Sequence, residues 1–506
     1  MKIKIFTALL LSAILFGSCT DLSETVYSDI SMNQFFTNEQ NLLLNAGRAY
    51  TKLQPYPEEQ KLWALATISS DECVVCTLQD GSWWDGGRDD EMKQHNVSTS
   101  NKINRLAWEY VFGGISACNE VLYETESSPV QFDGKNKIVA EIKVLRALFY
   151  YWGLDMWGDL PYTIDFTNKV LPKKKSRTFI YNFVEKEIKD NMSLLDSTVA
   201  TTNYGRVTKG LAYTLLAKLY LNSNVWINTP RWAEAEQMCD KVIASRQYKL
   251  EANYFDNFAV KNETSKENIF VIVNNSLLTH SFYWYDLTLS SLSQKTFSMK
   301  DTPWDGYICP PDFFNSYSDK DLRKKSWLYG QQYDATGKKL FEMAKKDTVW
   351  FVYNPIFPET KYKSRNKWDG ARCIKYAFQT DGLQNGTLDM DNDFVLFRYA
   401  DVIMMKVESM MRQNKTAEAA ALPDFQKIRT RVGMPPYTSD QLTFDELLVE
   451  RGREFAWEGH RRQDLIRFGK WNNACWAKPV TTTQSVFPIP QTAIDTNPNL
   501  SLAPEN

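Results

Sequence analysis

The sequence predicts a mainly α-helical protein: a scaffold of stacked helix pairs, interrupted by an irregular, loop-rich insertion that carries short β-strands. Three observations lead there. Apolar residues recur at spacings of three and four along several long segments, the period of a helix with one buried face. Short turns separate these segments, which places successive helices side by side, as in bundles and α-solenoids. Between residues 251 and 393 that period gives way to brief β-type runs and long stretches rich in Gly, Pro, Asn and aromatics.

The first eighteen residues stand apart from this body. Lys2 and Lys4 precede a mostly apolar run from Ile5 to Phe16, and Gly17 and Ser18 lead into Cys19. That run is too short to cross a bilayer, and its order of charge, apolar stretch and small residues is that of a secretory signal peptide. A cysteine directly after two small residues is the arrangement of a bacterial lipobox, in which the thiol is acylated and becomes the first mature residue. Phe16 stands where leucine is preferred. More than one acyl chain would hold the protein stably on a membrane. The expected organisation is a leader over 1–18, an N-terminal helical region over 19–250, the insertion over 251–393 and a C-terminal helical region over 394–506.

Beyond the tether, Thr20 to Ile30 reads as a polar extended arm. Ile138, Ile142, Leu145, Phe149 and Trp152 then place an apolar stripe on a helix ending near Gly158 and Pro161. Leu211, Leu215 and Leu219 mark the next clear helix. Trp232, Ala235, Cys239 and Val242 mark another, with Pro230 in its first turn. Ala217, Tyr220 and Ala235 give this pair a TPR-like character, although the expected turn from Asn222 to Thr229 is long for a regular repeat. Ile269 to Val273 and Val349 to Tyr353 are the β-type runs of the insertion. Leu396, Tyr399, Ile403, Val407 and Met410 predict a later helix, and Phe444, Leu448 and Phe455 a last one running to Phe468.

Charge and cysteine content narrow the function classes. The 59 cationic side chains nearly balance 61 anionic ones, and loss of the leader leaves 57 against 61. Such a balance exerts no general pull on nucleic acid or anionic lipid. No later run approaches the length of a transmembrane helix. With Cys19 acylated, seven cysteines remain, an odd number that argues against a full disulfide framework. Cys73 and Cys76 form a lone CxxC without a second pair or neighbouring His, so they read as small buried apolar residues at a helix end. Asp389, Asp391 and Asp393 alternate like a calcium loop, but Phe394 and Ala400 stand where such a loop needs Gly and Glu; a solvated acidic turn is expected instead.

Six blocks, in order along nearly the whole mature chain, resemble the SusD/RagB family of Bacteroidetes outer-membrane lipoproteins. They are Ser70-Asp71-Glu72 followed by an aromatic loop, Trp108-Glu109-Tyr110 and Cys118-Asn119; AEIKVLRALFYYWGLDMWGDLPY from Ala140; RVTKGLAYTLLAKLYL from Arg206; FRYADVIMMKVESM from Phe397, continued by KIRTRVG from Lys427; ERGREFAWEGHRRQDLIRFGKW from Glu450; and FPIPQ from Phe487 with Asn497-Pro498-Asn499-Leu500 behind it. Much of this reads physically as scaffold. Glu450 and Arg453, and Glu458 and Arg462, lie three and four residues apart, where opposite charges meet on one helix face. His460 among them, and Arg146 and Asp155 in the second block, read as members of a structural ion-pair network.

The resemblance implies a SusD-like α-α superhelix and a non-enzymatic protein, lipid-anchored through Cys19 on the cell surface. It would bind glycan on aromatic loops and deliver it to a SusC-like TonB-dependent transporter, with no cofactor, metal or nucleic acid. A pyranose ring has an apolar C–H face that stacks on Trp or Tyr, and rim hydroxyls that take polar partners. The stretch GSWWDGGRDDEMKQH from Gly81 makes Trp83, Trp84, Asp85 and Arg88 the first candidates, in the loop where family members commonly place ligand aromatics. The second cluster is Tyr283, Trp284 and Tyr285 beside Phe282, with Trp304, Asp305 and Tyr307 downstream. In an extended chain Tyr283 and Tyr285 would share a face opposite Trp284. Trp327 and Trp368 are weaker candidates, since each could simply pin a loop. Two other functions fit parts of the pattern: capture of peptides for a peptide-importing transporter, and glycoside hydrolysis, which needs two carboxylates at a set separation.

Overall fold

A computed structural model describes residues 38–355, 365–379, 389–475 and 484–506. Cys19, the leader and the polar arm lie outside the described residues. Helices dominate, and no helix among the described residues is long and apolar enough to cross a membrane. The N-terminal region contains α1 (Glu39–Thr51), α2 (Leu62–Ser69), α3 (Arg88–Lys93), α4 (Lys102–Ser127), α5 (Lys135–Trp157), α6 (Arg177–Asn191), α7 (Lys209–Ile227) and α8 (Trp232–Ala244). Consecutive long helices pack as neighbours: α4 on α5, α5 on α6, α7 on α8. Side-chain oxygens start several of them. Asn38 accepts from Asn41 N, Asn101 from Ile103 N and Asn104 N, and Ser176 from Phe179 N, relieving the unpaired first-turn donors.

The expected stripe on α5 is buried, and so is almost every residue from Val144 to Trp157. The helix lies between α4 and α6, so two faces are covered rather than one. The α7–α8 pair departs from expectation in its turn. Helix α7 continues to Ile227 and closes at Asn228, which takes a left-handed φ of 55°. Asn222 and Ser223, residues that favour turns, are buried and bond back to the Lys218 and Tyr220 carbonyls at 2.8 and 2.7 Å. Pro230 therefore precedes the capping residue Arg231 instead of occupying the first turn of α8.

Short antiparallel ribbons organise the rest. They pair β1 (Val74–Val75) with β5 (Tyr307–Ile308), β2 (Leu160–Pro161) with β3 (Lys174–Lys175), β6 (Trp327–Leu328) with β11 (Arg372–Cys373), β7 (Gly330–Gln331) with β10 (Trp350–Phe351), and β8 (Phe341–Glu342) with β9 (Asp347–Thr348). The longest pairs β4 (Asn268–Ile272) with β12 (Phe394–Arg398), which places Leu396 in a strand rather than at the start of the following helix. Short helices α9 (Trp284–Thr288) and α10 (Pro311–Asn315) lie in the insertion. Helices α11 (Tyr399–Met411), α12 (Thr416–Ala420), α13 (Pro423–Thr430), α14 (Phe444–Glu454), α15 (Arg461–Arg467) and α16 (Gln491–Thr496) follow. Cys73 and Cys76 are buried on either side of β1, not at a helix end.

The predicted last helix is two helices. Between α14 and α15, Trp457 adopts φ 60° and Gly459 φ 81°, backbone that no α-helix contains. Trp457 is held there by three hydrogen bonds: its N–H to Glu72 Oε2 at 3.0 Å, its Nε1–H to the Glu72 carbonyl at 2.7 Å, and Trp63 Nε1–H to its own carbonyl at 2.9 Å. These offset the cost, roughly 1–2 kcal/mol, of a left-handed bulky residue. The break reorders the charges. Arg453 still meets Glu450 at 2.6 Å, but Glu458 turns to Arg398 and Lys375, and Arg462 turns to Asp155.

A buried ionic lattice surrounds this break. Arg398 reaches Glu267 and Glu454 at 2.7 Å and Glu458 at 2.8 Å. Arg431 also contacts Glu267 and Glu454, while Arg323 bridges Asp321, Glu450 and Glu454. Burial alone would raise these carboxyls; the guanidiniums outweigh it, bringing Glu450 down to about 2 and Glu454 lower still. His460 is pushed down to about 4 by burial and by Lys218, so it sits neutral in the core. Replacing Arg398 with Met would leave three glutamates without their shared cation. We expect a loss of about 3–5 kcal/mol in denaturant unfolding, the scale of breaking a buried pair from one side; a change below 1 kcal/mol would show that the lattice is not what holds these segments.

Candidate functional site

The first candidate loop is built by tight local hydrogen bonding. Ser82 N donates to Asp80 Oδ1 at 3.0 Å, Leu78 N to the Ser82 carbonyl at 2.9 Å, and Gly87 N to the Trp84 carbonyl at 2.7 Å. Trp83 and Asp85 both take left-handed φ angles, 62° and 41°, as does Asp305 on the facing loop, at 63°. Bulky or acidic residues in that region store strain, which tends to collect where a surface is shaped for binding.

The structure separates the expected residues into two groups. Trp84 is 41 % exposed and Trp304 44 % exposed, while Trp83 and Tyr283 are half-buried. Trp83 ties the two loops together, its Nε1–H donating to the Trp304 carbonyl and its ring meeting Tyr307 edge-on at 6.0 Å. Gly306 makes room for that indole, because a Cβ there would lie 2.5 Å from it. Tyr283 packs against the Trp304 ring at 5.5 Å, and its hydroxyl accepts from Glu59 N at 3.3 Å. Asp85 is exposed beside these rings. The result is a shelf with two open indoles, one pinned indole and one tyrosine.

The other candidates belong to the core. Trp284 is 1 % exposed, ringed by Trp63, Phe282, Tyr376 and Trp457 at centroid distances of 5.1 to 5.8 Å. Tyr285 is equally buried and donates to the Tyr376 carbonyl. Tyr307, 0 % exposed, stacks on Trp63 at 5.6 Å and donates to the Glu59 carbonyl at 2.9 Å. The expected extended alternation fails because Trp284 to Thr288 form a helical turn, so Trp284 and Tyr285 do not point to opposite faces of a strand. Arg88 is also withdrawn: it is buried and ion-paired with Glu59, Asp85 and Asp89. Its place is beneath the loop. Trp327 is buried as a pin, and Trp368 packs against Leu340, Val349 and Phe351.

Carboxylates that the sequence did not single out surround the shelf. Asp286 accepts from Trp304 N through its carbonyl at 2.8 Å, and its side chain is pushed up to about 8 by burial and by the neighbouring Asp301 and Asp389. At neutral pH it is therefore largely protonated and able to donate. Glu58 is likewise raised, chiefly by burial. The Asp389–Asp393 run is not a solvated turn. Asp389 faces His280 at 2.8 Å, Asp391 accepts from Ser276 N at 2.7 Å, and Asp393 accepts from Asn274 N at 2.8 Å. These acids latch the 274–280 loop. No cluster among the described residues has the make-up of a metal site.

Most of the recognised sequence blocks are positioning elements. Asp71 of the Ser-Asp-Glu block takes Arg461 through both carboxylate oxygens at 2.6 and 2.9 Å, and Glu72 holds Trp457, so the first block locks onto the fifth. Arg206 grips Glu141 with two bonds of 2.9 Å, joining the third block to the second. Phe487 N donates to the Met156 carbonyl at 2.8 Å, joining the last block to the GDLPY turn.

Comparison with known proteins agrees with this architecture. Residues 240–505 match a family model described as "SusD family", and residues 25–221 match one described as "Starch-binding associating with outer membrane". The starch-binding protein SusD of Bacteroides thetaiotaomicron is 26 % identical over 454 residues, covering 80 % of this chain and 79 % of that protein. Among solved structures, surface glycan-binding protein A from Bacteroides thetaiotaomicron superposes with a TM-score of 0.74 at 21 % identity, covering 93 % of this chain and 99 % of that one. Its complex with laminarihexaose gives 0.73, over 91 % and 98 %.

The two groups of aromatics differ in what their removal would do. Trp284→Ala should cost about 3–5 kcal/mol, the scale of deleting a core indole, and lower the melting temperature sharply. Trp84→Ala combined with Trp304→Ala should leave the melting temperature within a few degrees of wild type. Thermal unfolding of the two variants side by side checks the assignment; equal losses would contradict it.

Proposed function

Because this chain belongs to the SusD family, we propose that it captures neutral oligosaccharides at the outer surface of the outer membrane, without turnover, and passes them to a SusC-like TonB-dependent transporter. The observation that carries this reading is the pair of exposed indoles, Trp84 and Trp304, on two loops that the Trp83 indole ties together, with Tyr283 against the Trp304 ring. Exposed tryptophans of this size are costly in water unless a partner covers them. A sugar's C–H face covers indole well, and its hydroxyls find acceptors such as the exposed Asp85. Two relatives point the same way by name, one binding starch and one crystallised with laminarihexaose.

Isothermal titration against malto-, laminari- and cello-oligosaccharides should reveal one neutral series that binds saturably. Trp84→Ala with Trp304→Ala should weaken it by at least about tenfold, corresponding to roughly 1.4 kcal/mol or more of lost stacking. Saturable binding of unstructured peptides in place of any glycan would favour peptide capture, and release of reducing ends would favour a hydrolase.

Anchoring follows from Cys19. The match to a family model described as associating with the outer membrane supports attachment there, and acylation at Cys19 supplies the means. Cys19→Ala should move the protein from the detergent phase to the aqueous phase on phase partitioning while leaving its fold intact. Unchanged partitioning would remove the lipobox reading.

A further inference from the structure

Exposed aromatic rings are not scattered over this protein. Seven are exposed among the described residues: Trp84 and Trp304 belong to the shelf, Phe444 begins α14, and Tyr329, Tyr333, Phe341 and Trp350 all fall between residues 329 and 350. That stretch, from β7 to β10, folds so that three short strands meet at one point. Gln332 N donates to the Val349 carbonyl at 2.9 Å, Val349 N to the Leu340 carbonyl at 2.9 Å, and Leu340 N to the Gln332 carbonyl at 3.0 Å, so each strand pairs with both others. At the junction Gln332, Leu340 and Val349 turn inward and are buried, the last two packing with Phe351. Alternation along each strand then sends their neighbours outward. Tyr333, Phe341 and Trp350 are 44, 56 and 53 % exposed. The pairings of Gln331 with Trp350, Tyr333 with Lys339 and Phe341 with Thr348 make the three rings diagonal neighbours on a single face. Gln331 stands among them. Its Nε2 donates to the Gln332 and Val349 carbonyls at 3.0 and 3.1 Å, which pins the amide over the junction and leaves Oε1 as the atom that can accept.

We propose that this three-ring face is a second saccharide platform, for an uncharged stretch of glycan chain. The inference rests on the saccharide reading of the protein and adds a surface that the tryptophan shelf does not share. Three features select this occupant. The rings are carried by paired strands, so stacking a sugar face on them orders little further chain. The pinned Gln331 offers a hydroxyl a fixed acceptor between the Tyr333 and Trp350 positions. Residues 329–351 carry four lysines against three carboxylates, a net charge of +1, so no strong field of one sign draws a charged polymer or an anionic lipid surface. Diagonal neighbours lie about 7–8 Å apart, and a single pyranose cannot cover all three rings. The match is to a chain. Two platforms on one insertion would hold a long glycan at two points and raise its affinity without a tighter contact at either.

Native electrophoresis through gels cast with amylopectin, laminarin or hydroxyethyl cellulose tests this. Wild type should be retarded in at least one of the three. Tyr333→Ala with Phe341→Ala and Trp350→Ala should weaken binding to that polymer by at least about tenfold. The Trp84→Ala, Trp304→Ala protein should keep a weaker retardation, which the three ribbon substitutions then abolish. All three ribbon side chains lie on the open face, so their variant should melt within a few degrees of wild type, and Trp350→Phe alone should keep most of the retardation. Retardation that the shelf variant loses completely and the ribbon variant keeps at wild-type strength overturns the inference and leaves the shelf reading standing. Calorimetric binding of neutral oligosaccharides by a protein that no gel retards overturns it in the same way. Absence of both signals removes the saccharide reading itself. Sedimentation of the Cys19→Ala protein with vesicles of phosphatidylethanolamine and phosphatidylglycerol, lost with the same three rings, would make the face a membrane contact and overturn the inference too.

Discussion

Burying Glu267, Glu454 and Glu458 within reach of one guanidinium is the constraint from which the rest of this molecule follows. Arg398 sits at the junction of β12 and α11, Glu267 just ahead of β4, and Glu454 and Glu458 on either side of the break between α14 and α15. Taking such charges out of water is expensive, and only dense mutual pairing makes it tolerable. Arg323, Arg431 and Lys375 complete that pairing from the insertion and from the segment after α13. Six stretches of chain, around residues 267, 323, 375, 398, 431 and 454–458, must therefore arrive together in one arrangement. Apolar burial would hold them as strongly, but it is less particular about register and direction.

A second ionic layer extends this order into the helical scaffold. Arg451 joins Asp401 to Asp464, Lys218 reaches Asp401 at 2.8 Å, and Arg467 links Asp464 to Glu408. Helices α7, α11, α14 and α15 are thereby fixed relative to one another. Rigidity at this level lets the surface above it be irregular. The Trp83–Asp85 loop and the loop holding Trp304 need neither helix nor extended sheet. Tyr307 against Trp83 and the Arg88 pairs to Asp85 and Glu59 under one, and the Arg365 contacts to the Asp305 and Gly306 carbonyls under the other, hold them from below. Strained φ angles at Trp83, Asp85 and Asp305 are affordable only on such a base.

The helical parts of this fold were legible because period is a local property. Ile138 to Trp152 and Leu211 to Leu219 announce helices wherever they pack. What period does not convey is how many faces a helix buries, so the enclosure of α5 between α4 and α6 was not visible. Nor does it show that buried Asn222 and Ser223 satisfy their own side chains inside a helix. The break at Trp457 rests on Glu72, nearly four hundred residues earlier, and no local signal encodes that partner. The site was legible in part for the same reason. Polar, turn-rich surroundings single out Trp83 and Trp84 together, and the second cluster adds Trp304; of these Trp84 and Trp304 are exposed and Trp83 is half-buried. Tyr283, Trp284 and Tyr285 have a similar composition, but one helical turn in place of an extended strand sends Trp284 and Tyr285 into the core and leaves Tyr283 at its edge. Arg88 looked like a ligand contact, yet Glu59 in the α1–α2 connection claims it.

Electrostatics then ties scaffold and surface into one argument. The described core pairs most of its cations with carboxylates, while the buried Arg365 and Arg372 donate to backbone carbonyls instead. Around the shelf the surplus is acidic, and burial converts part of it into donors by raising Asp286 to about 8. An exposed aromatic surface with neutral donors and charged acceptors is matched to polyhydroxylated, uncharged chains.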